Sequence, residues 1–211
     1  MLASSIGCLY PILDAHMGSI IQSKTLRRFK GDLRMERLSI AQPESEGTNV
    51  RRFLAYRGAI VVKETRDIGQ CKGNYGDAIS IATMILAVVK GTIRDTSYGV
   101  RLEHLDRDSN TDSSVFLDFD ELDELMEAFD FIRSLAGELR SQQRDYTEVT
   151  YSTKDNARFG FYQNEQQQQQ AFIALNPHGG MTFLLVERLP TLKELLLAAK
   201  NHLVSRGATI V

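Results

Sequence analysis

Four oxygen-bearing side chains at alternating positions, Asp106, Asp108, Asn110 and Asp112, match places 1, 3, 5 and 7 of a loop that could wrap a hard cation. The match is partial: Thr111 stands where the tight glycine turn belongs, and Leu117 where a bidentate glutamate would close the shell. A polar turn between strands is the competing reading, since Asp, Ser and Asn are the usual turn residues. Residues 108–130 carry nine acids and no Lys or Arg, a face that repels phosphate and reads as solvated helix surface. Gly69, Gly73 and Gly76 beside Lys72 could offer backbone amides to an anion, but the spacing lacks a G-K-[ST] ending and reads as a hairpin connection. His16, His104, His178 and His202 are scattered, and neither Cys8 nor Cys71 has a local partner suited to activating a thiol. The sequence therefore nominates no catalytic residue and no cofactor.

Binding a single nucleic-acid strand needs cations for phosphate and exposed aromatics for base stacking. Arg144, Lys154, Arg158 and Tyr162 are the candidates, all in the second half of the chain. The charge balance argues against a general electrostatic partner: 25 Lys and Arg against 27 Asp and Glu give a net charge of -2. Only residues 1–60 are clearly basic, with nine Lys and Arg to five acids, whereas residues 61–140 carry nine to sixteen and residues 141–211 seven to six. At 211 residues, 43% hydrophobic and 25% charged, the composition is that of an ordinary globular chain. No apolar run reaches the roughly 18 to 20 residues that cross a bilayer.

Residues 1–50 read as an N-terminal extension outside the core, with linker composition at 42–49. Its first residues make a poor secretory signal, because they lack Lys and Arg and are interrupted by Pro11. Lys24, Arg27, Arg28, Lys30, Arg34 and Arg37 with Leu26, Phe29 and Leu33 suit either a targeting helix or a solvated extension. The expected location is cytoplasmic, with organelle targeting or export through this extension as the alternative.

From Phe53 onward the chain presents one supersecondary pattern twice, in residues 53–139 and 140–206. β-branched runs bounded by turn residues predict strands at 59–64, 78–89, 98–105 and 114–117, then at 147–153, 158–163, 171–175 and 181–186. Each set precedes a helix. Leu122, Leu125, Met126, Phe129 and Ile132 make the first apolar stripe, with Asp118 or Asp120 placed to accept from first-turn amides. Leu192, Leu195, Leu196, Ala199 and Leu203 make the second, with Thr191 and Glu194 spaced as a capping box. An offset of 70 residues superposes Leu122, Glu124, Leu125 and Ala128 on Leu192, Glu194, Leu195 and Ala198. The expected fold is α+β: two tandem ββββα units with pseudo-twofold symmetry, whose antiparallel sheets are each covered by a helix. Alternation along 158–163 predicts Phe159 and Phe161 inside.

Residues 117–125 (LDFDELDEL), 151–154 (YSTK), 159–163 (FGFYQ) and the junction 180–192 resemble an uncharacterised group of small bacterial-type proteins. That resemblance covers about residues 55–205 and implies fold boundaries but no chemistry. The tandem order of four strands and a helix is also similar to the Whirly and PUR-repeat folds, and this likeness implies single-strand binding on a sheet face. The lysine-rich strand motif of Whirly proteins is missing here. A non-enzymatic protein-binding or scaffold module is the leading expectation, and a single-stranded nucleic-acid-binding protein the alternative.

Overall fold

Strand-forming runs punctuated by glycine and polar turns build two separate antiparallel meanders. The structure is a computed structural model and describes residues 47–90, 92–106, 113–175 and 180–209. A short helix, α1 (Asn49–Leu54), precedes the first sheet: β1 (Ile60–Lys72), β2 (Ala78–Lys90), β3 (Ile93–Leu105) and β4 (Ser114–Asp118). A 3₁₀ turn, Phe119–Glu121, leads into α2 (Leu122–Leu139). The second sheet is β5 (Tyr146–Ser152), β6 (Arg158–Asn164), β7 (Gln169–Ala174) and β8 (Met181–Leu184). It is followed by its own 3₁₀ turn, Val186–Arg188, and by α3 (Leu189–Ser205). Both sheets run in chain order, β1-β2-β3-β4 and β5-β6-β7-β8, so the expected α+β fold of two ββββα units is present. No helix among the described residues is long and apolar enough to cross a membrane.

The helices are exchanged between the units. Helix α3 packs on β1, β2 and β3 of the first sheet, α2 packs on β5 and β6 of the second, and the helices pack on each other. Phe129 of α2 meets Phe159 of β6 edge to face at 5.4 Å between ring centroids. In the other direction, His202 Nδ1 of α3 lies 3.0 Å from Thr83 Oγ1, and Arg206 just beyond α3 pairs with Glu64 of β1 at 2.8 Å. One interior results, built from Ile79, Ile81, Val100, Leu102 and Leu117 of one sheet, Phe159, Phe161 and Ile173 of the other, and the stripes of both helices. Phe159 and Phe161 are fully buried, as their alternation requires.

The first hairpins are exchanged as well. Asn74, in the β1–β2 turn, donates its N–H to the carbonyl of Phe183 on β8 at 2.7 Å. Reciprocally, Asp155 in the β5–β6 turn accepts from the N–H of Phe116 on β4 at 2.8 Å. Phe116 and Phe183 are equivalent positions, and each edge strand is thus met by the other unit's turn.

That equivalence corrects the repeat register. The 3₁₀ turns begin at 119 and 186 and the helices at 122 and 189, an offset of 67 rather than 70. At 67 every buried position of α3 falls on a buried position of α2: Leu122 with Leu189, Leu125 with Leu192, Phe129 with Leu196, Ile132 with Ala199, and Ala136 with Leu203. A slip of three residues is close to one helical turn, so it leaves an apolar stripe on nearly the same face and generates chance identities. The same slip explains the second correction. Helix α3 starts at Leu189 with Pro190 in its first turn, so Thr191 lies inside the helix and does not cap it.

The capping box instead belongs to the first unit, where Asp118 and Glu121 form it at the 3₁₀ turn. Glu121 is buried, accepts from the N–H of Asp118 and that of Lys154, both at 2.9 Å, and so ties the start of α2 to the β5–β6 turn. Burial pushes the Glu121 carboxyl above the usual carboxylate range, against the opposing pull of its two backbone donors. The folded chain therefore holds this proton more tightly than the unfolded chain does. Stability from Glu121 is complete below its unfolded value of about 4.3 and is lost as pH rises through the higher folded value. Urea midpoints measured from pH 4 to 7 should show the parent losing more stability over this window than Glu121→Gln; parallel curves would refute the assignment.

Three other differences are local. Strand β1 runs on beyond the expected end at Glu64, through Arg66 and Asp67 and past a β-bulge between Asp67 and Gly69, into the stretch around Gly69 that the sequence reads as a connection. Thr48 and Val50, read as part of the extension, are fully buried: Thr48 caps α1, and Val50 and Phe53 pack on Met84, Leu86, Val88 and Phe116 across the outer face of the first sheet. The acidic run is partly paired as well as solvated, since Asp123 and Asp130 of α2, both about half exposed, meet Lys200 and Lys193 of α3.

Candidate functional site

Alternation in the second sheet sends Tyr146, Glu148 and Thr150 of β5 to the face opposite the core, together with Arg158, Gly160 and Tyr162 of β6. Pairing with β7 and β8 adds Phe172, Gln170, Met181 and Phe183 to the same outer face. Gly160 is required there, because a methyl at that position would overlap the Val149 carbonyl and press on the Phe172 ring.

The outcome is a row of four aromatic rings. Tyr146 and Tyr162 stack at 6.2 Å with planes 21° apart, and Tyr162 meets Phe183 edge to face at 6.3 Å. Tyr75, from the β1–β2 turn of the other unit, meets Phe183 edge to face at 6.1 Å. The row therefore exists because the hairpins are exchanged. Tyr75 is 75% exposed and Tyr146 60% exposed, so large apolar surface faces solvent with polar tips.

Hydrogen bonds fix these tips. Tyr162 donates its hydroxyl to Gln170 Oε1 at 2.6 Å, and Gln170 Nε2 donates to the Tyr75 hydroxyl at 3.2 Å. Tyr146 donates to Glu148 Oε2 at 2.8 Å, and Thr150 donates to Glu148 Oε1 at 2.9 Å. Desolvation first, and the Glu148 carboxylate second, push the Tyr146 phenol up to about 12. Burial likewise raises Tyr162. Both rings stay neutral donors across the physiological range, and Arg158 is the only Lys or Arg at the outward positions of β5 to β8.

Of the residues nominated for nucleic acid, Arg158 and Tyr162 share this face, while the other two are committed elsewhere. Arg144 places its guanidinium on the amide oxygen of Gln142 at 2.8 and 3.2 Å, and Lys154 pairs with Asp120 at 3.0 Å. Of the cation-loop residues, Asp106 lines an open recess of about 340 Å³ with Gln70, Lys72 and Asp77, while Asp108, Asn110 and Asp112 lie outside the described residues. Beneath the docked hairpin, His104 Nε2 sits 3.5 Å from Asp77 Oδ2. His104 Nε2, Asp77 Oδ1 and Thr182 Oγ1 are buried there without hydrogen-bond partners among the described residues.

Sequence reasoning missed Tyr75, Tyr146, Phe172 and Phe183. An aromatic between Gly73 and Gly76 was the available signal for Tyr75, and strand parity the signal for the others. No protein-family model matches the chain, and no curated protein or solved structure does either, which leaves its own side chains as the ground for a function.

Proposed function

We propose that the chain is a non-enzymatic binding module that engages a protein partner through the outer face of its second sheet. The supporting observation is the row Tyr146, Tyr162, Phe183 and Tyr75, with exposed tyrosines at its two ends and half-buried rings between them, flanked by Met181 and Arg158. Tyr, Phe, Met and Arg are the residue types enriched at the centres of protein interfaces, where Lys and Glu are depleted. Hydrogen-bonded tyrosines with two rotatable bonds also lose little entropy when covered. Single-strand binding fits less well, because a phosphate backbone needs a track of cations and this face carries one.

The test uses the full chain. A displayed peptide library selected against it should yield binders that are lost on Tyr162→Ala and Phe183→Ala and kept on Arg144→Ala. A fluorescent oligothymidine should show no binding in low salt. If the oligonucleotide binds with an affinity that falls steeply with ionic strength, the nucleic-acid reading replaces this one.

A further inference from the structure

Of the four sheet edges, β4 and β8 are met by the exchanged turns, and β5 is a short strand of 7 residues. Strand β1 is different. It has 13 residues, pairs among the described residues only with β2, and is exposed without a break from Val62 to Asp67. A long open edge offers every second N–H and C=O to another strand, and charged side chains are the usual protection against that. Here the order of the charges does more than protect.

We propose that β1 pairs with β1 of a second copy of this chain, antiparallel and centred on Thr65, joining two first sheets into one. In that register Lys63 stands opposite Asp67 of the second copy, and Glu64 opposite Arg66. The twofold axis repeats both contacts, giving four cross-strand pairs of opposite charge and none of like charge. Neighbouring registers fail on the same criterion. A slip of one residue sets Lys63 against Arg66 or Glu64 against Asp67, and a slip of two sets Glu64 against Glu64 or Arg66 against Arg66.

The side chains are available for this pairing. Lys63, Arg66 and Asp67 make no ion pair within the chain among the described residues, and Glu64 holds only the exposed Arg206. Opposed residues also share a face. Lys63, Thr65 and Asp67 lie on the α1 side, opposite Leu86, Met84 and Ala82, and Glu64 and Arg66 lie on the α3 side, opposite Ile85 and Thr83. The bulge between Asp67 and Gly69 closes the flat stretch at one end. The twofold axis sets this bulge of each copy beside Val62, 54% exposed, of the other.

Sedimentation equilibrium of the full chain in low salt, from micromolar to several hundred micromolar, should reach twice the 23.7 kDa of one chain. Lys63→Asp and Asp67→Lys should each weaken the dimer by about tenfold or more, since each turns two attractive contacts repulsive. The double variant Lys63→Asp with Asp67→Lys should restore the parent affinity. In a Cys8→Ser background, Thr65→Cys should form an intermolecular disulfide on mild oxidation, because antiparallel partners place their Cα atoms about 4.5 to 5.5 Å apart. Ser141→Cys, away from the edge, should not. A chain that stays monomeric throughout, a dimer indifferent to the single reversals, or a double variant without rescue would each overturn the pairing.

Discussion

Phe129→Ala should destabilise the chain by about 3 to 5 kcal/mol, the usual cost of emptying a fully buried phenylalanine site. Phe129 is 1% exposed, and its ring sits on Phe159, a residue of the other unit. The same cavity therefore removes the anchor of α2 on the second sheet and loosens α2 against α3, which covers the first. Both sheets should lose stability together. Urea unfolding followed by tyrosine fluorescence, which the absence of tryptophan makes readable, should coincide with far-UV circular dichroism in parent and variant. Two separated transitions would mean that the units fold independently and that the exchange of helices is energetically slight.

Asp118→Ala should cost about 2 to 4 kcal/mol, freeing α1 and loosening the capped 3₁₀ turn ahead of α2. The Asp118 carboxylate accepts from the N–H groups of Asn49 at 2.8 Å and Val50 at 3.1 Å, and the residue is 3% exposed. Bonds to a charged acceptor contribute about 1.5 to 3 kcal/mol each, and two on one carboxylate add less than twice that. A helix of 6 residues cannot hold itself. Without its anchor, Val50 and Phe53 should leave the outer face of the first sheet and uncover Met84, Leu86 and Val88. Amide exchange across 49–54 should speed up far more than exchange in β6, and Asp118→Asn, which keeps an acceptor oxygen, should fall between. Unchanged protection in α1 would refute the role.

Much of this architecture was legible because the forces behind it are local. Strands β2 and β6 were readable from branched and aromatic runs ending in turns, and α2 from a stripe that must be buried. Charged positions hid the true length of β1, because an edge strand open to solvent on its face and side needs no apolar alternation. The cap at Thr191 was misplaced for a different reason. Spacing identifies a capping box only where the helix begins, and Pro190 was already inside α3.

The candidate face was half legible. Strand parity puts Arg158 and Tyr162 on one side of β6, but no local pattern brings Tyr75 to Phe183, 108 positions later in the chain. That meeting follows from the turn of one unit settling on the edge strand of the other. The same long-range docking withdrew Lys154 from the proposed set, since Asp120 of the first unit holds it.

Two copies of one motif, each lending its helix and first turn to its twin, have the connectivity of a homodimer whose subunits have been strung onto a single chain by residues 140–145. Covalent linkage frees such twins from identity: a substitution in one is no longer imposed on its counterpart. The second copy carries tyrosines and a phenylalanine on its outward surface, while the first has α1 laid across that same side. Asymmetry of this kind is open to a tethered pair and closed to a symmetric one, where any ligand site off the twofold axis must appear twice.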